Sequence, residues 1–170
     1  MENKCFLFVC SGNTCRSVMA EAFFRQQWEL DGMPEKVQIC SAGLATVEGL
    51  AASRETLTLL RHEGSAMEHH RSRPVEAGML KTADYIFTMT AVHKQFIMER
   101  FSGCANKVWT LGEYGGTGSD ITDPYGGGME AYKVAASQIK KAIMGVITRL
   151  KRGSGSQHSG VSIKARKNRT

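Results

Sequence analysis

Five consecutive apolar side chains, Cys5-Phe6-Leu7-Phe8-Val9, lie near the start of the chain. Such an unbroken run fits a strand buried on both faces of a parallel sheet. A polar, glycine-containing loop follows over residues 10–16, and then Ala20, Phe23, Phe24 and Trp28 recur at helical spacing. Val37–Cys40 predicts a second strand, residues 53–62 a helix, Tyr85–Met89 a third strand and Val108–Leu111 a fourth. Val92, Phe96 and Ile97 mark a helix between the last two strands. The clearest periodic segment puts Tyr132, Ala136, Ile139, Ile143, Val146, Ile147 and Leu150 on one stripe and leaves Lys133, Lys140 and Lys141 off it. Gly126-Gly127-Gly128 precedes it. Alternating strands and helices with short links predict an α/β fold built on a parallel, doubly wound sheet. Right-handed crossovers would bring the strand C-termini to one edge, where ligands bind, and Cys10 closes the first strand.

Composition narrows the class. The 170 residues include 42% apolar side chains and only 3 prolines, which is globular rather than disordered composition. No apolar run is long enough to span a bilayer, and Phe6–Val9 is too short for a signal peptide, so a soluble, cytoplasmic protein without membrane contact is expected. Cysteines stand at 5, 10, 15, 40 and 104, an odd set with no Cys-x-x-Cys pair. A disulfide framework or a structural zinc site does not fit this spacing; free thiols in a reducing compartment do. Cys40 is expected to be buried in its strand, and Cys104 stands alone near a turn.

The net charge of +6 would suggest nucleic acid, but its location argues otherwise. Lys151, Arg152, Lys164, Arg166, Lys167 and Arg169 account for the excess and leave 16 basic against 16 acidic residues in 1–150. The expected organisation is one neutral domain over 1–150 and a basic, disordered tail over 151–170, with no nucleic-acid partner. The nine methionines read as core filling. Adjacent His69 and His70 cannot share a helix face and lack a metal-like cluster around them, so one is expected to brace a loop and the other to be exposed.

Candidate chemistry concentrates in Cys10-Ser11-Gly12-Asn13-Thr14-Cys15-Arg16-Ser17, between the first strand and the first helix. A turn of this kind points successive backbone N–H groups at a common centre, and the helix N-terminus adds positive potential, so the loop is expected to bind phosphate. Gly12 supplies conformational freedom, and Arg16 can grip two phosphate oxygens through its planar fork. Cys10 would lie beneath the bound anion as a thiolate nucleophile, with Asn13 and Ser17 able to donate hydrogen bonds to it or to brace the loop.

These residues, continued by Met19-Ala20-Glu21 and joined by Asp123-Pro124-Tyr125-Gly126, resemble the low-molecular-weight protein tyrosine phosphatases over about residues 4–150. The resemblance implies a flavodoxin-like three-layer sandwich with a central four-stranded parallel sheet, and no metal or organic cofactor. It implies that Cys10 is the nucleophile, Arg16 the phosphate ligand and Asp123 the general acid, with Asn13, Ser17 and Ser41 in the supporting network. Tyr125 would flank the pocket mouth, and Cys15 matches a second loop cysteine that can pair with the nucleophile under oxidation. Asp120 is a rival acid without the Pro-aromatic context. Val18 stands where the family usually has proline, and Ala45 where many members carry a larger residue at the pocket wall, which bears on substrate preference.

Thr14 bears on the phosphoamino acid, since phosphotyrosine members commonly carry a bulky aliphatic residue there. A branch that removes phosphate from arginine has threonine, and His93-Lys94-Gln95 and Leu111-Gly112-Glu113-Tyr114 also resemble it. The expectation is a monomeric phosphatase that takes a phosphorylated protein, passes through a phosphocysteine and releases inorganic phosphate, with phosphoarginine favoured over phosphotyrosine. Two other classes are weighed against it: a thiol-dependent arsenate reductase, which needs further cysteines on a mobile segment, and a non-catalytic phosphate-binding or redox-sensing module using Cys10 and Cys15.

Overall fold

The computed structural model describes residues 3–34 and 36–155. Four strands, β1 (Lys4–Cys10), β2 (Val37–Gly43), β3 (Tyr85–Thr88) and β4 (Val108–Thr110), form one sheet in the order β2-β1-β3-β4. Every neighbouring pair is parallel, with Cys10 opposite Gly43 and Val9 opposite Thr88. The alternation of strand side chains divides the core in two. Phe6 and Phe8 point to the face covered by α1 (Arg16–Leu30), α2 (Arg54–His62), α5 (Leu111–Tyr114) and α6 (Gly128–Gly155). Cys5, Leu7 and Val9 point to the other face, covered by α3 (Ala77–Thr82) and α4 (Ala91–Arg100). The result is the expected three-layer α/β sandwich, and β1, central in the sheet, delivers its last residue to the C-terminal edge.

The helix starts are set by side-chain caps. Ser53 accepts from the Thr56 N–H at the start of α2, and Thr90 accepts from His93 at the start of α4. Thr110 and Glu113 form a reciprocal capping box, which turns Leu111 into the first residue of a helix rather than the last of a strand. The stripe from Tyr132 to Leu150 is buried as its spacing predicts. Its helix continues to Gly155, past the expected boundary at 150; the remainder of the basic segment, from 156 on, lies outside the described residues. Cys40 is only partly buried, because β2 is an edge strand. Of the methionines, Met19 and Met89 are fully buried, whereas Met98 and Met144 are exposed. Among the described residues no helix is long and apolar enough to cross a membrane, and no group of three or more His, Cys, Asp or Glu could hold a metal ion.

Candidate active site

The loop between β1 and α1 curls around Cys10. Cys10 is buried at the strand end, with its Sγ 3.0 Å from Ser17 Oγ and 3.3 Å from the donating Asn13 N–H. Among the described residues no acceptor takes the backbone N–H of Gly12, Thr14, Cys15 or Arg16. These are the orphan donors expected at the start of a helix, here held in a loop whose conformation is set from outside.

Asn13 is the main brace. It is fully buried and sits in the left-handed region at φ 53°, where asparagine is among the few tolerated side chains. Its Nδ2 donates to Ser17 Oγ at 3.0 Å and to Ser41 Oγ at 3.0 Å, and its Oδ1 accepts from the Arg73 N–H at 3.1 Å. Ser17 Oγ accepts from both Asn13 Nδ2 and the Cys10 thiol, which leaves its own proton to turn toward Sγ when that thiol is ionised. Ser41 passes its own proton to Glu21 Oε2 at 2.6 Å. His70 Nε2 lies 2.8 Å from the Asn13 carbonyl oxygen and must donate to it, so His70 is the bracing member of the histidine pair, while His69 is exposed. Gly43 permits close approach, since a Cβ there would meet the Ser11 carbonyl oxygen at 2.7 Å.

Arg16 is buried by the loop that carries Asp123. Its Nη1 donates to the Ile121 carbonyl oxygen at 3.1 Å, and its Nη2 lies 3.2 Å from Asp123 Oδ2. The Arg16 side chain is 6% exposed and that of Asp123 58%, so the carboxylate sits at the mouth with the guanidinium below. Asp120 is committed elsewhere: its Oδ1 accepts from the Ala91 N–H at the start of α4, 3.0 Å away. Tyr125 is 83% exposed on the same loop. Ala45 lines a shallow groove of about 490 Å³ with Gly12, Thr14, Thr46, Val47 and Leu50. Thr14 Oγ1 is 3.6 Å from Cys15 Sγ, a long contact.

Several partners of the site were given no contact with it by the sequence, His93 having entered only within the His93-Lys94-Gln95 resemblance. His93 is buried under the loop with Nε2 2.9 Å from Ser11 Oγ, and its Nδ1 has no partner among the described residues. Burial pushes the His93 pKa down from 6.5 to about 4; Arg16 acts in the same direction, and Asp123 and Asp120 oppose it. Tyr132, legible only as a core position, also brings its hydroxyl within 3.1 Å of Cys15 Sγ. Burial, then the Cys15 contact, raises the Tyr132 pKa to about 12. Burial likewise raises the Cys40 pKa to about 11, which keeps that thiol protonated at neutral pH.

A buried thiol at the end of the central strand, a following loop whose amides lack acceptors, and an arginine paired with a carboxylate at the rim define a cysteine-centred loop at the strand C-terminal edge of a doubly wound fold. Comparison with known proteins makes the relationship specific: residues 5–156 match the family described as low molecular weight phosphotyrosine protein phosphatase. The chain belongs to that family. It is 35% identical over 147 residues to a protein-arginine-phosphatase of Bacillus subtilis, covering 86% of this chain and 96% of that one. It is 39% identical over 133 residues to the low molecular weight protein-tyrosine-phosphatase PtpB of Staphylococcus epidermidis, covering 78% and 89%. A solved mutant of the YwlE arginine phosphatase with a phosphorylated active-site serine superposes with a TM-score of 0.82 at 34% identity, covering 87% of this chain and 96% of that one.

Proposed function

We propose that this chain is a protein phosphatase that hydrolyses phosphoarginine through a phosphocysteine on Cys10. The observation that carries the reading is the convergence on one centre: Cys10 Sγ within 3.0 Å of Ser17 Oγ, and Arg16 paired at 3.2 Å with Asp123 at the rim.

In the first step the Cys10 thiolate, accepting from Ser17 and the Asn13 N–H, attacks phosphorus in line with the leaving nitrogen. An S–P bond forms, the P–N bond breaks, and Asp123 gives its proton to the departing guanidine nitrogen. Loop amides and the Arg16 fork hold the three equatorial oxygens as charge redistributes. Water then attacks the phosphocysteine with Asp123 accepting its proton, which releases inorganic phosphate and restores the thiolate.

The preference for arginine rests on Thr14 and on the relatives. The long contact of its hydroxyl to Cys15 leaves that group able to meet a planar guanidinium, where an aliphatic side chain would pack on a phenol ring. Val47 and Leu50, both exposed, give the adjoining groove an apolar wall for residues flanking the phosphorylated one. The described cysteines are all unpaired, and a thiol nucleophile must stay reduced, which favours the cytoplasm as the working compartment.

The test compares phosphoarginine and phosphotyrosine peptides with wild type, Thr14→Ile and Cys10→Ser. Wild type is expected to prefer phosphoarginine, Thr14→Ile to shift toward phosphotyrosine, and Cys10→Ser to lose turnover of both. A wild-type preference for phosphotyrosine, or a preference that Thr14→Ile leaves unchanged, overturns the arginine assignment.

A further inference from the structure

We infer that Gln138, on α6, is a positioning residue for the proton transfer at Asp123, an inference that rests on the reading of Asp123 as proton donor. Gln138 Oε1 accepts from the Thr122 N–H at 2.9 Å, and its Nε2 donates to Thr122 Oγ1 at 3.1 Å. Both ends of one amide therefore grip the residue immediately before Asp123. Only this orientation of the amide works, because the reversed one would set an NH₂ group against the backbone N–H.

The rest of the loop shows why this contact matters for orientation. Ile121 is held on both sides of its peptide: its N–H donates to Met89 O at 2.8 Å and its carbonyl accepts from Arg16 at 3.1 Å. Pro124 is buried. Between them Thr122 and Asp123 are exposed, and beyond Pro124 the chain is exposed through Gly128, with positive φ at Gly126 and Gly128. Within 122–123, the anchors of the described structure are the Gln138 clamp on Thr122, the Arg16–Asp123 pair, and the Tyr125 N–H, which donates to Asp123 Oδ1 at 3.2 Å from within the same exposed stretch; of these, the clamp is the one that ties the backbone of the stretch to a helix. Gln138 is a firm point of attachment, since its neighbours Ala135, Ile139 and Ala142 are fully buried against the core. The Arg16 contact alone would draw the Asp123 carboxylate down toward the phosphate oxygens. The clamp sets the backbone angle from which the carboxylate can reach the leaving atom above them.

A misdirected acid should cost most where the leaving group needs its proton most. A departing guanidine is far more basic than a phenol, and a nitrophenol needs help least. The experiment measures kcat/KM on a phosphoarginine peptide, phenyl phosphate and a nitrophenyl phosphate. Gln138→Ala is expected to lose about five- to ten-fold on the first two and under about two-fold on the third. Thr122→Val, which leaves α6 untouched, should show the same pattern more weakly. Gln138→Glu should stay within about two-fold of wild type on all three, because a carboxylate accepts from both the Thr122 N–H and its rotated hydroxyl. In an Asp123→Asn background, Gln138→Ala should add no further loss. Equal losses on all substrates, no loss, or a full extra loss in the Asp123→Asn background would overturn the inference. If Asp123→Asn itself leaves kcat/KM on phosphoarginine unchanged, the proton-donor reading fails and takes the inference with it. If Asp123→Asn is impaired but Gln138→Ala does not steepen the leaving-group dependence, only the inference fails.

Discussion

Replacing Asn13 separates the two things this residue does for the loop. Asn13→Ala removes three side-chain hydrogen bonds, to Ser17, Ser41 and from Arg73. At roughly 1 kcal/mol net for each bond, that is about 3 kcal/mol. Alanine must also adopt the left-handed backbone at φ 53°, which costs roughly 1–2 kcal/mol more. The expected loss is therefore about 4–5 kcal/mol, a large part of the roughly 5–15 kcal/mol that a domain has. Asn13→Gly loses the same bonds without the backbone strain, while its freer unfolded chain costs about 0.5–1 kcal/mol. The glycine variant should then be the more stable of the two by up to about 1.5 kcal/mol. Urea unfolding, with the slope compared between variants, measures both differences. A loss below about 1 kcal/mol for Asn13→Ala, or an alanine variant clearly more stable than the glycine one, would refute the account of the brace. Activity gives an independent view: both variants release Ser17 from Asn13, so its proton is no longer directed at Cys10, and both should lose kcat.

Three further outcomes are expected. A Cβ at Gly145 would overlap the Gly115 backbone where α6 crosses the end of α5, so Gly145→Ala should lower thermal stability by about 1–3 kcal/mol despite its better helix propensity; an unchanged or raised Tm would contradict this packing. His93 is depressed from 6.5 to about 4 in the fold, so the unfolded chain binds the extra proton between those values and stability falls as pH drops through that window, by roughly 3 kcal/mol for this group. His93→Gln should remove that part of the slope, and denaturant titrations at pH 7 and pH 4 that fall equally for both proteins would exclude it. Arg16→Lys keeps the charge but loses the fork that reaches both Ile121 and Asp123; kcat/KM should drop by about 10²-fold or more, and a loss of a few-fold would mean that charge alone suffices.

Most of the architecture was legible because burial imposes periodicity. The run Cys5–Val9 reads as a doubly buried strand because Phe6 and Phe8 face one core and Cys5, Leu7 and Val9 the other. The stripe on α6 reads as a helix for the same reason. The short helices α3 and α5 were not legible. In α3, Leu80 is the one buried helical residue, too little for a pattern, and in α5 the Thr110–Glu113 capping box overrides an apolar sequence that continues a strand. Within the site, Cys10 through Ser17 form one contiguous segment and could be read from chemistry. Ser41 and Asp123 entered only through resemblance to a family. Glu21 on α1, Arg73 between α2 and α3, His93 on α4, and Tyr132 and Gln138 on α6 meet their partners only through the fold, and the spacing of polar residues along a chain does not say which partner each finds across it.

The claim on which the account turns is that phosphorus passes through the sulfur of Cys10. An Asp123→Ala enzyme, slowed in the hydrolytic half, mixed with a nitrophenyl phosphate, whose leaving group needs the acid least, and quenched rapidly, should carry one phosphoryl group in an S–P bond on Cys10, found by phosphorus NMR and by mass mapping of the loop. Phosphate release without any such adduct, or an adduct on another residue, would contradict it.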